Sequence, residues 1–501
     1  MYMKKSKRNV VWMVFFFVMV ILISCTNEEE ESSQKIEIED QAEQLEIDWD
    51  EPITIFYESN GVLLNFSNAY PNVKFNAYQM ASSTEANEKD CLKYCIEKYG
   101  DPDIILINSA LSDDISSNRI ERWYLEGLIA DLEGMYAEDD DLEVSDYIPG
   151  TFEILYNEEV LLGIPLSWSM QGLIVPESNV SESHLSLLQN EFNGEELFNA
   201  LLKELESRKY NDKLFWADWE LPFDPISLLI DMGAIIKTEN DEYIVDEKLF
   251  ASLYEFCMLV RSLEEQYRNM NDIDFSTYQG KLALDPTMYD GEYFGLSILG
   301  APQVSMIYAK SIANHFGNTI KMYWIPSAND GTKYIGKVQE IALLGGNSLR
   351  KAQAYEVIRM MMDMPVNIIN QPGPTAHNPN TFSPVNIQEA INMLEYFDAL
   401  DVQNLIIRDW SEEVYYTIEK QKLSEDEKQK IIEMIENMVD LDFDLDLQVK
   451  VTEISSIYNY YVGEYVKDYK HCYLEIMRVL NPESEKWNMT PEEVEDYMST
   501  E

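Results

Sequence analysis

The sequence predicts an α/β fold in which short strands alternate with helices after Pro52. Residues 53–57 form a β-rich apolar run, and residues 61–70 continue as a helix-like stretch. Residues 73–78 and 104–107 have the pattern of two further strands, with an amphipathic helix at 86–99 between them. Because strands that alternate with helices usually pair in parallel, we expect a parallel sheet with helices on both faces. A chain of 501 residues, 46% of them hydrophobic, is long enough for two lobes with separate cores.

The N-terminus has the layout of an export signal. An almost unbroken apolar run over residues 10–23 follows four basic residues, Lys4, Lys5, Lys7 and Arg8. As a helix this run would rise roughly 21 Å, which is short of the ~30 Å hydrocarbon core that a membrane-spanning helix crosses. We therefore expect residues 1–24 to be a cleaved signal peptide.

The end of the apolar run indicates a lipid anchor. Leu22-Ile23-Ser24-Cys25 resembles the lipobox of bacterial lipoproteins, in which the cysteine becomes the lipidated first residue of the mature chain. The resemblance implies that Cys25 holds the protein at the extracytoplasmic face of the cell membrane, because two acyl chains anchor far more firmly than one. Residues 25–50 contain a run of four glutamates and stay polar, which predicts an acidic, flexible tether.

The charge balance excludes several partners. The formal net charge is -54 at pH 7, and removal of the basic signal makes it more negative. Repulsion from phosphate excludes nucleic acid as a partner, and anionic lipid would repel the folded body in the same way. We therefore expect a soluble, monomeric body that is attached to the membrane through Cys25 alone.

The remaining cysteines do not form a disulfide framework that the sequence can identify. Cys91 and Cys95 lie four residues apart in a predicted helix, where side chains share a face but rarely reach disulfide geometry. Cys257 and Cys472 are far apart in sequence, and their pairing stays open. No cysteine spacing resembles a zinc site or a redox pair, so the sequence predicts neither a metal nor a cofactor.

Polar residues follow two of the predicted strands. Glu58, Ser59 and Asn60 come after the first strand, and Asn108 and Ser109 come after the third. In open α/β sheets, ligands bind beyond the carboxyl ends of the strands, which makes these residues candidates for ligand contact. Ordinary turn chemistry explains such residues equally well, so both interpretations stay open.

An ordered series of segments resembles extracellular solute-binding proteins (family 1 type) that serve bacterial ABC importers. The opening of that family is matched by the first strand and by YPNVKF at 70–75, PDII at 102–105 and LIADL at 128–132. Residues 163–168 resemble the exit from the first lobe. Residues 305–308 and 324–326, with Gly331, resemble the return into it, and residues 341–344 with the helix 348–362 resemble a later strand and long helix. The resemblance covers roughly residues 52–386, and the helical C-terminal portion matches only loosely.

This resemblance implies a two-lobed fold that closes on a ligand like a flytrap. Residues 51–168 and 304–383 would form the first lobe, and residues 169–303 and 384–501 the helix-rich second lobe. The family encloses a small solute between the lobes, at strands that act as a hinge, and delivers it to a membrane permease. A carbohydrate or oligosaccharide is the solute class that the resemblance favours, and no enzymatic activity is expected.

Several aromatic and acidic residues are candidates for lining the cleft. Aromatic faces beside a carboxylate suit sugar rings or a cationic solute, although tryptophan is more often buried in a core. The candidates beyond the strand ends lie at the proposed hinge, in the second lobe and near the later crossings: Trp168, Trp216, Asp218, Trp219, Tyr308 and Glu340. Sugar-binding members often carry a stacking tryptophan where this sequence has Ile312, which puts the carbohydrate ligand in doubt.

Other functions are less well supported. An exported hydrolase is an alternative, but Gly345-Gly346-Asn347-Ser348 lacks the lysine of a phosphate loop, and no catalytic motif selects among the many carboxylates. The alternating aspartates at 440–446 suggest calcium, yet an edge strand or solvated loop explains the alternation better. The same fold could also capture a ligand for a membrane sensor kinase instead of an importer.

Overall fold

The computed structural model describes segments of the chain between residues 50 and 497, all within the compact unit Ile47–Glu501. The described ranges are 50–58, 61–80, 90–108, 118–157, 160–176, 194–206, 225–238, 240, 242–271, 296–315, 317, 319–328, 332–364, 383–399, 404–409, 414–442, 445–490, 493–494 and 497. The predicted signal peptide, Cys25 and the tether before Asp50 lie outside them. So do the site candidates Ser59, Asn60, Ser109, Trp216, Asp218 and Trp219.

Strands and helices alternate along the described segments. The strands are β1 Ile53–Tyr57, β2 Phe75–Gln79, β3 Ile104–Asn108, β4 Ile129–Ala130, β5 Tyr156–Asn157, β6 Val160–Leu161, β7 Ile164–Pro176, β8 Ile235–Lys237, β9 Tyr243–Val245, β10 Leu296–Gly300, β11 Ile320–Trp324, β12 Tyr334–Gly345, β13 Ser383–Pro384, β14 Asn404–Asp409, β15 Val414–Glu419 and β16 Met438–Asp442. The helices are α1 Gly61–Ala69, α2 Cys91–Tyr99, α3 Asn118–Leu125, α4 Glu133–Ala137, α5 Gly194–Glu206, α6 Pro225–Asp231, α7 Glu247–Asn271, α8 Pro302–His315, α9 Lys351–Met362, α10 Ile387–Ala399, α11 Glu425–Glu436, α12 Leu445–Gly463 and α13 Tyr469–Leu480. A short 3-10 helix spans Val144–Asp146.

The main sheet is built around β3, which is buried along its whole length. β1 pairs in parallel with β2 on one side and with β3 on the other, which confirms the predicted parallel arrangement for these three strands. β12 lies on the far side of β3 and runs antiparallel to it, so the sheet as a whole is mixed. A strand with neighbours on both sides and helices on its faces must be apolar, as β3 is.

The strand β7 belongs to two ladders. Its first half pairs with β12 and places Trp168 opposite Val338. Its second half lies between β10 and β11, where Gly172 is paired with Ile298 on one side and with Trp324 on the other. One continuous strand therefore crosses from the first ladder to the second.

Two hydrophobic cores are present. The first core surrounds β1, β3, β7 and β12 and contains fully buried Phe56, Trp123 and Trp168. The second core lies among α5, α6, α7, α12 and α13. There the Phe250 ring contacts Tyr458 and Tyr473 edge-on, with ring centroids 5.6 and 5.4 Å apart. The helical pattern predicted for the C-terminal portion corresponds to α10–α13.

Helices α10 and α11 and strand β16 pack with the first core. The sequence-based division of the lobes at residue 384 stays a prediction. Met393 of α10 and Ile431 of α11 are buried in that core, and so are Met438 and Leu441 of β16. β16 pairs in parallel with the start of β12, because its buried apolar side chains complete that part of the sheet. The alternating aspartates thus begin in a strand, and α12 starts at Leu445 shortly after it.

The segment 305–308, matched by sequence to the return into the first lobe, lies in helix α8, whose buried residues belong to the first core. Val304, Ile307 and Tyr308 are buried there, and their spacing of three and four residues is that of a helix face. The return into the main sheet is made by β12.

The pair Gly345-Gly346 allows two backbone segments to approach closely. A Cβ atom at Gly345 would lie 1.9 Å from the carbonyl oxygen of Pro102, and one at Gly346 would lie 2.0 Å from that of Gly127. Ser348, in the same turn, donates a hydrogen bond of 2.6 Å to buried Asp103. These glycines are therefore explained by the packing of the end of β12 against the segments that lead into β3 and β4.

Candidate functional site

The carboxyl ends of β1 and β3 meet at one edge of the main sheet, and β12 passes along this edge. Glu58 follows β1, Asn108 ends β3, and Glu340 of β12 is paired with Asn108. Ligands of open α/β sheets bind at such an edge. We call the polar residues gathered here the sheet-edge cluster: Glu58, Asn108, Arg119, Ser167 and Glu340.

Glu58 forms a bidentate ion pair with Arg119 of α3. The Nη1 to Oε1 distance is 2.8 Å and the Nη2 to Oε2 distance is 3.2 Å, and the two side chains are only 9% and 13% exposed. The backbone N–H of Asn108 donates a further hydrogen bond of 3.1 Å to Oε2. Both oxygens of Glu58 are thus engaged by protein groups, and the carboxylate joins β1 to β3 and α3.

Contacts within α3, and between α3 and the start of α2, orient Arg119. The guanidinium lies over the ring of Trp123, 4.8 Å from its centroid. The indole N–H of Trp123 donates 2.8 Å to Asp90, which also accepts from Arg122 at 2.5 Å. Asp90 is in turn the N-cap of α2, where its other oxygen accepts from the Leu92 N–H. The orientation of Arg119 is therefore fixed by packing between α2 and α3.

Glu340 is a buried carboxylate at the N-terminus of α1. Its Oε1 accepts a long hydrogen bond of 3.4 Å from the Val62 N–H, and its Oε2 accepts one of 3.4 Å from the Ser167 hydroxyl. Gly61 permits this approach, because a Cβ there would lie 3.3 Å from Oε1. The residue is 4% exposed, so the negative charge faces the positive end of a helix away from bulk water.

Trp168 lies where three crossing segments meet. It is paired with Val338 of β12 and with Ser383 of β13, and its side chain is fully buried. The indole N–H donates a hydrogen bond of 2.8 Å to the carbonyl oxygen of Pro384. The structure therefore places Trp168 at the crossing of β7, β12 and β13, with its donor engaged inside the protein. That this crossing acts as a hinge stays a prediction. The predicted contact of Trp168 with ligand also stays a prediction.

Buried amide side chains surround this crossing of β7, β12 and β13. Gln339 of β12 donates a hydrogen bond of 2.7 Å to the Ser169 hydroxyl of β7. Gln303 of α8 donates one of 2.9 Å to the Ser383 hydroxyl, and all four side chains are fully buried. Each bond joins two different chain segments, so buried hydrogen bonds hold the crossing segments together.

Tyr308 lies on α8 in the first core and is 8% exposed. Burial raises the pKa of its phenol, and it belongs to the buried apolar face of the helix. Its predicted contact with ligand stays a prediction, as do those of the six candidates outside the described ranges.

Sequence reasoning missed Arg119, Ser167 and the amides Gln303 and Gln339. Arg119 pairs with Glu58, which lies 61 positions earlier, and no short sequence motif predicts such a distant partner. A usable signal was the position of Arg119 four residues before Trp123, on a helix that follows a buried strand.

None of the four described cysteines is in a disulfide bond. Cys91 lies beside the sheet-edge cluster, and its burial raises the pKa of the thiol to about 11, although nearby Arg119 acts in the opposite direction. Cys257 and Cys472 are both fully buried in the second core, and burial also raises the pKa of Cys472. Raised thiol pKa values favour the unreactive protonated form.

Within the described part of the chain, no three histidine, cysteine, aspartate or glutamate side chains form a group that could hold a metal ion. None of its helices is both long enough and apolar enough to cross a membrane.

Comparison with solved structures identifies the class of fold. MalE, the sugar-binding protein of Xanthomonas citri, matches with a TM-score of 0.54 at 10% identity, over 88% of this chain and 100% of that chain. A sugar transporter protein of Rhizobium etli, in an open conformation, matches with a TM-score of 0.51 at 11% identity, over 86% of this chain and 100% of that chain. No protein-family model and no curated protein matches the sequence. The chain therefore has the two-lobed fold of extracellular solute-binding proteins, as the sequence predicted.

Proposed function

We propose that the protein captures a small solute between its two lobes and delivers it to the permease of an ABC importer. The observation that carries the proposal is the continuous strand β7, which runs from a ladder with β12 into a ladder with β10 and β11. A hinge of crossing strands beside a polar sheet edge suits a protein that closes on a ligand. A carbohydrate or oligosaccharide is the proposed solute, since the two matched structures are named for sugars.

Closure follows from linkage. A solute that contacts both lobes binds the closed form more tightly than the open form, and it therefore shifts the population toward closure. The permease would recognise the closed form. The described part of the chain contributes the sheet-edge cluster, with Trp168 and Tyr308 of the first core. The remaining proposed contacts are Asn60 and Ser109 after two strands, and Trp216, Asp218 and Trp219 in the predicted second lobe.

Binding and closure can be tested on the chain from Asp48 onward. A thermal-shift screen of sugars, oligosaccharides, amino acids and polyamines finds the solute, and small-angle scattering then measures the radius of gyration with and without it. We expect a smaller radius at saturation. A saturating ligand that leaves the radius unchanged would contradict hinge closure, and the absence of any binder would contradict solute capture.

The anchor is a separate part of the proposal, carried by Leu22-Ile23-Ser24-Cys25. Cells that express the full chain are fed a labelled fatty acid, and the same is done for Cys25→Ser. We expect the wild-type protein alone to take up label and to stay with the membrane fraction, while both proteins keep the same solute affinity. Labelling of the Cys25→Ser protein would show that the anchor lies elsewhere.

The importer and the sensor kinase make different demands on the closed protein. Permease subunits reconstituted in vesicles should transport the solute only when the binding protein is present. Transport that does not depend on it, together with solute-dependent binding to a sensor kinase, would favour the alternative. Cleaved products after incubation with oligosaccharides would instead indicate a hydrolase.

A further inference from the structure

Helix α2 carries two cysteines on one face. Cys91 is its first residue, and Cys95 lies four residues later, about one turn along the helix. Both side chains pack against the first core, where Cys95 is 2% exposed and Cys91 is partly buried. The two thiols lie close enough to act on each other electrostatically. Neither thiol belongs to the contacts proposed for solute capture, so the pair calls for a separate explanation.

The spacing of the two cysteines decides what can join them. Residues four apart on a helix have Cβ atoms about 5–6 Å apart. A disulfide needs Cβ atoms roughly 3.5–4.5 Å apart, so α2 would have to distort before the thiols could be oxidised to a disulfide. A metal ion with two bonds of about 2.3 Å to sulfur holds the sulfur atoms up to about 4.6 Å apart. The side chains can span that distance from an undistorted helix.

Each sulfur atom has a cationic side chain nearby. Burial raises the pKa of Cys91 to about 11; Arg119 opposes this effect, whereas two nearby carboxylates add to it. Burial also raises the pKa of Cys95, and Lys98 opposes it. The partial positive charge at the start of α2 favours a negative sulfur at Cys91 as well. Burial therefore disfavours two isolated thiolates, whereas a bound cation, together with these cationic neighbours, would compensate their charge.

We propose that Cys91 and Cys95 form a binding site for one soft monovalent cation of the Cu(I) class. Thiolate ligands select such ions. Two sulfur atoms suit an ion that is stable with two ligands, whereas structural zinc sites have four. On binding, two S–H bonds break, two metal–sulfur bonds form, and two protons pass to the solvent, with no change in the oxidation state of the metal. The proposal does not depend on solute capture.

Uptake of Cu(I) tests the site. All proteins are the full chain with Cys25→Ser, so that Cys25 contributes no thiol. Cu(I) kept reduced by ascorbate under nitrogen is offered as its coloured bicinchoninate complex, and the loss of colour measures uptake. We expect one Cu(I) per chain, with two sulfur neighbours by X-ray absorption. Cys91→Ala and Cys95→Ala should each weaken binding by more than about a hundredfold, because losing a ligand costs more than losing an outer-shell partner.

Cys472→Ala is the matched control, because it removes a fully buried thiol from the second core, and it should leave Cu(I) binding unchanged. Alanine favours a helix, and circular dichroism checks that each variant is folded. If Cys95→Ala does not fold, Cys91→Ala, at the less buried position, still decides. Three results would show that the pair is not the site: no uptake, uptake that survives the changes in α2, or an equal loss in Cys472→Ala. A single sulfur neighbour would contradict the two-thiolate arrangement.

Discussion

The Glu58–Arg119 pair should be one of the strongest polar contributions to the first lobe. We consider three variants: Glu58→Gln, Arg119→Met and the double variant. Each single change leaves the opposite partner without its counterion at a site where the side chains are 9% and 13% exposed. Breaking a buried pair in this way costs roughly 3–5 kcal/mol, and the remaining exposure to water favours the lower end, about 3 kcal/mol.

The double variant distinguishes a true pair from two separate effects. Removing both charges leaves no uncompensated ion, so its loss of stability should be smaller than the sum of the single losses by roughly 2 kcal/mol or more. Urea unfolding is followed by tryptophan fluorescence, because Trp123 lies against the guanidinium and reports on the first core. The exposed Lys93–Glu126 pair, with an N to O distance of 2.8 Å, is the control, and Lys93→Met should cost less than about 1 kcal/mol.

Two results would refute this reasoning. If each single variant lost less than about 1 kcal/mol, the pair would behave like an exposed surface pair. If the single losses added to the double loss within about 0.5 kcal/mol, the two side chains would not be coupled. In either case the bidentate geometry would not be a source of stability.

Three further predictions concern packing, the hinge and acid stability. Gly345→Ala should lower the free energy of unfolding by roughly 2–4 kcal/mol, because its Cβ would lie 1.9 Å from the carbonyl oxygen of Pro102. Gly134→Ala, with no atom within 4 Å, is its control, and equal thermal melts by circular dichroism would contradict the packing argument. Trp168→Phe should lower the free energy of unfolding in urea by roughly 1–3 kcal/mol, because the buried carbonyl of Pro384 loses its hydrogen-bond donor. An unchanged urea midpoint would show that the indole hydrogen bond is dispensable. Burial acts to raise the pKa of Asp398, but hydrogen bonds from Lys428 and a backbone amide outweigh it and hold this pKa below its usual value. The stability from Asp398 is therefore present above the ordinary aspartate pKa of about 3.9 and lost as the pH falls through the lowered one. Lys428→Met should reduce this loss of stability at acid pH, measured by urea titrations at several pH values. An unchanged pH dependence would show that the Asp398–Lys428 pair is not its source.

The first strands were predictable because the residues of each strand indicate how deeply that strand is buried. β3 is an unbroken apolar run that ends in asparagine, and only a buried central strand explains such a run at this length. β16 was not predictable in the same way. Its alternating aspartates suit an edge strand or a solvated loop, and the deciding fact is the partner β12, about a hundred residues away in sequence.

The same limit applies to the site. Glu58 could be selected because it directly follows a strand, and Glu340 because of its place near a crossing segment. The partners of these residues could not be selected. Arg119 meets Glu58 only through the packing of α3, and the Val62 amide meets Glu340 only because Gly61 leaves room for the carboxylate. Local patterns report which residues lie at a strand end, whereas tertiary packing decides which charges those residues meet.

The pairing of β12 with β16 has a consequence for the order of folding. The first sheet begins at Ile53, but β16, which completes one side of β12, ends only at Asp442. Such distant pairing is slow, because the entropy of closing a long loop must be overcome before the contact forms. A chain that emerges from its N-terminus cannot finish its first core until nearly nine-tenths of it is available. Until then the N-terminal strands would have unpaired edges, which favour aggregation and would make chaperones that bind the unfinished chain valuable.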